Sequence, residues 1–440
     1  MIGSSERLSR YTPAIIACAL ANLLLAQFAV AAGLTWPARP VLAPITLAVV
    51  HLTTLGWMTL LIFGALFQFV PVISNRPLPS QRLVLAALVA FECGLGVLLA
   101  GFIEFATAPG PLLPVGGILV FLAAVLGMAD LLPPLASAAR RNLSARCVLA
   151  GFAALAATLA LGVCFALALR VRAAADVLGP LVGGALSAHI IGGLAGGFTL
   201  TAVGVSYKLL PMFLLAPEER GALGEAVFLT LAAGVGLGIA GPVLLSYGHA
   251  GFAGGLQSAG IVLIALGASL YLIDVVRIYR ARRRKAIELH NRAAVGAFAG
   301  LALLVPAALL WQGGGVRAPL VVALALVAWL TGLGLTQLYK IVPFLSWLVH
   351  FGGKLGAGRV PRVQDLVRES RAMLAFAVFF LGAAVQVAGA LLAAAWPFQI
   401  GAGLTLLATL ALGLEYWRAW RLRYVPPLAA PAPVTATHSR

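Results

Sequence analysis

Two histidines, His51 and His189, lie inside apolar stretches of the chain. Neutral imidazole ligates haem iron, copper or zinc. An ionisable group within a membrane span ordinarily faces the protein interior. Met58 follows His51 by seven residues, a spacing that on an α-helix sets a thioether on the face of the imidazole. His51, Met58 and His189 are thus candidate cofactor ligands, and the two histidines are candidate metal ligands. The competing reading makes each histidine a core polar group bonded to a backbone carbonyl or to water. Glu92, the deepest acid in an apolar stretch, and Lys208 and Lys340 are candidates for a proton path. The alternatives there are a neutral, hydrogen-bonded carboxyl and lysines that snorkel to the interface.

The stretches that carry these groups repeat. HLTTLGWMTLLIFGALFQFVPVI begins at His51, and HIIGGLAGGFTLTAVGVSYKLLPMF begins at His189. One constant shift sets Gly56 on Gly196, Thr59 on Thr199, Gly64 on Gly204, Phe67 on Tyr207 and Pro71 on Pro211. A third copy, LTGLGLTQLYKIVPF, lies further on, and a slightly smaller shift sets Thr331, Tyr339, Lys340 and Pro343 on Thr199, Tyr207, Lys208 and Pro211. Self-similarity at a long period points to an internally repeated architecture. The histidines are not equivalents in this alignment, since His51 falls opposite Ile191, and the third copy has none. The glycines read first as sites of close helix packing, and second as room for a flat cofactor.

Composition sets the frame. With 62% hydrophobic and 10% charged residues, a soluble chain of this length is excluded. Apolar runs long enough to cross a bilayer recur twelve times. The expected fold is an all-α integral membrane domain of twelve transmembrane helices. These fall in three pseudo-repeated sets of four, at about 12–138, 145–277 and 290–420. The marked helices are the second, the sixth (from about 180) and the tenth (317–349). The Pro/Ala-rich tail 426–440 is expected to be disordered. Asp274, one turn before Arg277, is expected to pair with it. His290 and His350, at loop ends, are expected to be solvated.

The net charge of +17 does not signal nucleic acid, because its placement explains it. With the N-terminus inside, every Lys and Arg except Arg39, Arg170, Arg172 and Arg317 falls on the inner side. That is the positive-inside pattern. It predicts both termini in the cytoplasm, a bacterial inner membrane, and contact of Arg280–Lys285 with anionic lipid head groups. There is no CxxC or CxxCH, no phosphate-cradling loop, no HExxH and no hydrolase elbow, so thiol redox pairs, c-type haem, nucleotide chemistry and zinc proteolysis have no signal. No cleavable signal peptide is expected, because polar residues precede a long first apolar run.

Twelve helices in sets of four, both termini inside, and histidines on the second and sixth helices resemble subunit I of the heme-copper oxidase superfamily, which includes nitric oxide reductases. The HLTTLGWMTLLIFGALFQ and YKLLPMF/YKIVPF strings are similar to those of shortened oxidase-I-like proteins. The resemblance implies that His51 maps to the low-spin haem ligand of helix 2, and that His189 maps loosely to the copper or non-haem iron ligand of helix 6. It also implies two helix 7 histidines and two helix 10 histidines. Residues 225–247 and 317–349 contain none, and His350 falls at the inner end of its helix. The missing ligands argue against oxygen reduction. The reading is then a degenerate member that holds a single haem, or alternatively copper, or nothing. Its expected role is in respiratory, nitric-oxide-related or metal-related metabolism, beside other respiratory membrane subunits. The rivals are a secondary transporter, disfavoured because transporters commonly repeat as halves, and a ligand-free structural or assembly protein.

Overall fold

The structure, a computed structural model, describes residues 10–107, 110–140, 142–218, 221–312, 314–315, 318–354 and 360–425. The tail 426–440, the lead before Arg10, and the side chains of Arg141, Glu219, Arg220 and Arg317 lie outside the described residues. Twelve helices are long and apolar enough to cross a membrane. They are α1 (Thr12–Ala31), α2 (Pro44–Ser74), α3 (Gln81–Thr107), α4 (Leu112–Ala139), α5 (Leu143–Arg170), α7 (Leu186–Leu214), α8 (Gly221–Ser246), α9 (Gly251–Arg280), α10 (Leu289–Gln312), α11 (Ala318–Lys354), α12 (Glu369–Leu392) and α13 (Ala395–Trp420). The chain is an all-α membrane protein.

One helix was not expected. α6 (Arg172–Gly184) precedes the sixth span and breaks from it at Ala185. That span therefore starts at Leu186, not near Pro180. α6 is amphipathic: Leu181 is buried, while Arg172, Asp176 and Val177 are exposed. A polar stripe on a short helix at a membrane edge suits an interfacial position. In the sequence the end of α6, from Pro180, joins the expected span because its apolar face continues the run.

Burial singles out the three helices that carry the repeated strings. α2, α7 and α11 are 72%, 67% and 67% buried over their most apolar windows, against 33% to 44% for the other nine. The other helices turn one side to lipid, as exposed Val89, Leu229 and Leu407 show. Each central helix contains a π-helical stretch, at Leu52–Thr59, Gly192–Leu200 and Leu324–Thr331. The step from Leu52 to Gly192 equals that from Gly56 to Gly196, and the step from Gly192 to Leu324 equals that from Thr199 to Thr331. The π stretches thus begin at equivalent places in the three strings. A π-turn is rare and widens the helix locally. The stretches of α2 and α7 both pack on that of α11.

Indole–hydroxyl bonds join these stretches. Trp57 Nε1 donates to Thr331 Oγ1 at 3.1 Å, and Trp329 Nε1 donates to Thr199 Oγ1 at 3.2 Å. Thr59, the aligned partner of Thr199 and Thr331, bonds within its own helix to Thr54 O, and Gly197 stands where α2 and α11 carry tryptophan. Both tryptophans are fully buried, so loss of an indole N–H strands a hydroxyl in a dry core. Trp57→Phe should cost about 1–3 kcal/mol. Thermal unfolding in detergent checks this, and Thr331→Val in the same background should recover part of the loss.

Outside the centre, α3/α4, α8/α9 and α12/α13 are the closest hairpins. Glycines set their spacing. A Cβ at Gly401 would lie 2.5 Å from Gln386 N, and one at Gly389 2.5 Å from Phe398 N. Only residues without a side chain allow this approach.

Candidate functional site

His51 is the last α-helical residue before the π stretch of α2. Its Nδ1 lies 2.8 Å from Leu47 O on its own helix. His189 stands on the first turn of α7, just past the break at Ala185. Its Nδ1 lies 3.0 Å from Thr158 O on α5. The two rings come together, with centroids 6.2 Å apart and planes inclined by 36°. Phe102 of α3 packs on His51 at 4.8 Å, and Phe165 of α5 packs on His189 at 5.6 Å. Gly162 makes room for His189, since a Cβ there would sit 3.2 Å from the ring Cε1. Phe165 also packs under Leu181 and Ala185, so α6 and its junction cover this end of the site. Both histidines are part-buried.

Carbonyl oxygens only accept hydrogen bonds, so each Nδ1 carries the proton and each Nε2 presents a lone pair. The core-residue reading and the ligand reading are compatible here. The carbonyl bonds satisfy one nitrogen and orient the other, as outer-shell partners of metal-ligating histidines do. No group of three or more His, Cys, Asp or Glu that could hold an ion occurs among the described residues. The pair therefore offers two neutral nitrogen donors and no countercharge.

Met58 has a different setting. It is buried in the main core at 2% exposure. It lies within the π stretch Leu52–Thr59, and a π-helix turns through a smaller angle per residue than an α-helix. The seven-residue spacing therefore does not by itself put the two on one face.

Both candidate lysines are ion-paired. Lys208 Nζ lies 2.8 Å from both carboxylate oxygens of Glu218. Lys340 Nζ lies 2.6 Å from Glu288 Oε2 and over the Phe213 ring at 5.4 Å. Glu288 also takes Arg284 and Gln364, and His290 Nδ1 lies 3.5 Å away. His290 is not solvated: it is 1% exposed and packs edge-on against Phe213. The end of α7 folds over it, which a one-dimensional reading of the loop does not see. His350 is half-buried, with Nδ1 2.8 Å from Ser346 O and its ring near Trp420. Glu288 was missed as a hub, although its four-residue spacing from Arg284 is an ion-pair signal.

The remaining acids serve helix ends and contacts. Asp130 accepts from Ser80 N at 2.8 Å and so ties α4 to the start of α3. Asp274 is buried beside Tyr207 and Tyr271, while Arg277 is exposed. Glu415 takes Arg418 and Tyr424. On the loop before α12, the Arg362 N–H and guanidinium hold the Asp365 carboxyl below the usual carboxylate range. Glu92 bonds only neutral groups, through Asn22 of α1.

No protein-family model and no curated protein sequence matches this chain. The functional reading rests on the site itself.

Proposed function

We propose that this chain is a threefold-repeated, oxidase-subunit-I-like membrane protein that holds one copper(I) ion between His51 and His189. The observation that carries the reading is the meeting of these two rings at 6.2 Å with both Nδ1 atoms engaged. Two imidazoles that share one ion through Nε2, at a metal–nitrogen distance of about 2.0 Å, have centroids roughly 6 Å apart. The threefold repeat is supported by the common shifts of strings and π stretches, and the resemblance to the oxidase subunit by the helix count and the two marked histidines.

The donor set favours copper(I). Zinc in structural sites takes four ligands, and a divalent ion brings two charges into a site without a carboxylate or thiolate. A monovalent ion that accepts two nitrogen donors asks less of this environment. A porphyrin fits less well. Four of the six histidines of the oxidase pattern's haem and copper sites have no counterpart here, and among the described residues no second axial ligand faces His51 across a porphyrin's width, since its ring neighbours are Phe102 and His189. When bound, copper(I) would supply a soft electrophile able to take a thioether, thiol or small π-acceptor ligand. His51 and His189 would hold it, Leu47 O and Thr158 O would fix the rings, and Phe102 and Phe165 would exclude water. Handling of reduced copper beside the respiratory chain is the role this chemistry suits. The bias of basic residues supports termini in the cytoplasm of a bacterium.

The test is anaerobic titration of the purified protein with copper(I) against a coloured chelator, with metal analysis and a visible spectrum. One ion per chain is expected, and His51→Ala or His189→Ala should each weaken binding at least about tenfold, or 1.4 kcal/mol. A Soret band lost in His51→Ala would replace copper by haem. Wild-type affinity in both variants, or no bound metal, would remove the cofactor and leave an assembly or transport role.

A further inference from the structure

We propose that Glu92 is a proton-exchanging carboxyl at mid-membrane, opening toward lipid and linked through Asn22 to the π stretch of α2. Glu92 lies near the middle of α3 (Gln81–Thr107) and is half-buried, beside exposed Val89 and Cys93. α1 and α3 both pack on the π stretch of α2, and Glu92 reaches over it. Asn22 Nδ2 lies 3.2 and 3.5 Å from the two carboxyl oxygens and donates to Gly56 O at 3.1 Å. Gly56 admits the amide closely: a Cβ there would lie 2.9 Å from Asn22.

The surroundings carry no countercharge. From α1 the carboxyl is faced by Asn22 and the Cys18 thiol. The π stretch Leu52–Thr59 has no titratable side chain. On α2 the nearest titratable group is His51, which stacks on Phe102, ten residues along α3. The one charged residue of α4, Asp130, is bound to Ser80 N just before the start of α3, more than ten residues along the chain from Glu92. None of the ion pairs among the described residues involves Glu92. An unpaired carboxylate in hydrocarbon is costly, and such a group takes a proton or a cation instead.

The Asn22 amide decides between them. Gly56 O is an acceptor, so the amide must direct its NH₂ toward it. The same NH₂ faces Glu92. A metal cation would need oxygens there, and turning the amide to supply one would break the bond to Gly56. A proton needs no such change. Its arrival weakens the acceptor facing Asn22 and leaves more of the amide to Gly56. Glu92 is thus placed to report its charge to the helix that carries His51, independently of any metal there.

Membranes containing the full chain would be treated with dicyclohexylcarbodiimide, which attacks protonated carboxyls in apolar surroundings, and the adduct mapped by mass spectrometry. Glu92 is expected to be the modified residue. Labelling should fall about tenfold per pH unit once the group ionises, and sodium at fixed pH should give no protection. Glu92→Gln, a neutral isostere, should fold with wild-type thermal stability and take no label. Amide exchange across Leu52–Leu60 should vary with pH in the wild type beyond the intrinsic rate change, and in Glu92→Gln it should not. Absence of label on Glu92 at every pH, pH-independent label, protection by sodium, or failure of Glu92→Gln to fold would each overturn the proposal. None of these outcomes depends on copper.

Discussion

Gly260→Leu is expected to abolish the folded protein, while Gly236→Leu is expected to leave it intact. Both glycines lie in the α8/α9 hairpin, so composition and helix propensity change alike. They differ in what a side chain would meet. A Cβ on Gly260 would lie 2.5 Å from Gly238 N and 2.8 Å from Gly234 O, whereas nothing lies within 4 Å of one on Gly236. The obstacle is backbone, which cannot rotate away as a side chain does. The helices must separate, and the van der Waals contact that holds them in lipid is lost along their length, where no hydrophobic force between helices replaces it. Overpacking ordinarily costs about 1–3 kcal/mol, and a backbone clash belongs at or above the upper end. The yield of monodisperse protein and its unfolding temperature in detergent measure the difference. Equal behaviour of the two variants would mean that α8 and α9 are not packed this closely.

Glu288→Ala is the second large effect, and it arises from charge. Glu288 is 11% exposed at its side chain and serves Lys340, 15% exposed, and Arg284, 33% exposed. Removing the carboxylate leaves two cations facing each other at the end of the bundle, above the buried His290 ring. Loss of one partner from a buried pair costs about 3–5 kcal/mol. The partial exposure of both cations puts this case near the lower figure. The sign is checked by a double-mutant cycle: Lys340→Met in the Glu288→Ala background should regain stability, because the stranded charge is then gone. An unfolding temperature unchanged by Glu288→Ala would show the cluster to be solvated. Counterions would then be supplying what Glu288 is assigned.

How much of this was legible beforehand depended on the kind of constraint. The twelve spans were readable because a helix in hydrocarbon must carry a long apolar run, a property that survives any tertiary arrangement. Repetition marked three helices, and burial makes them the central ones: the strings that recur, with Gly56 on Gly196 and Thr199 on Thr331, are those of the three most buried helices. A helix surrounded by protein must match its neighbours at every turn, and that keeps sequence. A helix that faces lipid need only be apolar.

Other features depended on angle around a helix axis. The seven-residue spacing of His51 and Met58 assumes α-helical rotation, and the π stretch Leu52–Thr59 that contains Met58 departs from it. α6 was hidden because its apolar face joined the run of the next span, and only the break at Ala185 separates them. His290 looked like a loop-end residue until the end of α7 was laid against it through Phe213. The meeting of His51 and His189 is the clearest case, since the repeat alignment sets the two out of register by two positions. A shift of two residues turns a helical side chain by more than half a circle, so periodicity alone would not bring them together. The sequence determined that twelve helices are long and apolar enough to cross a membrane, that three of them carry a recurring string, and that two of these hold an imidazole. Only the tertiary structure decided that the imidazoles meet, because the way two helices are turned toward each other leaves no mark in hydropathy.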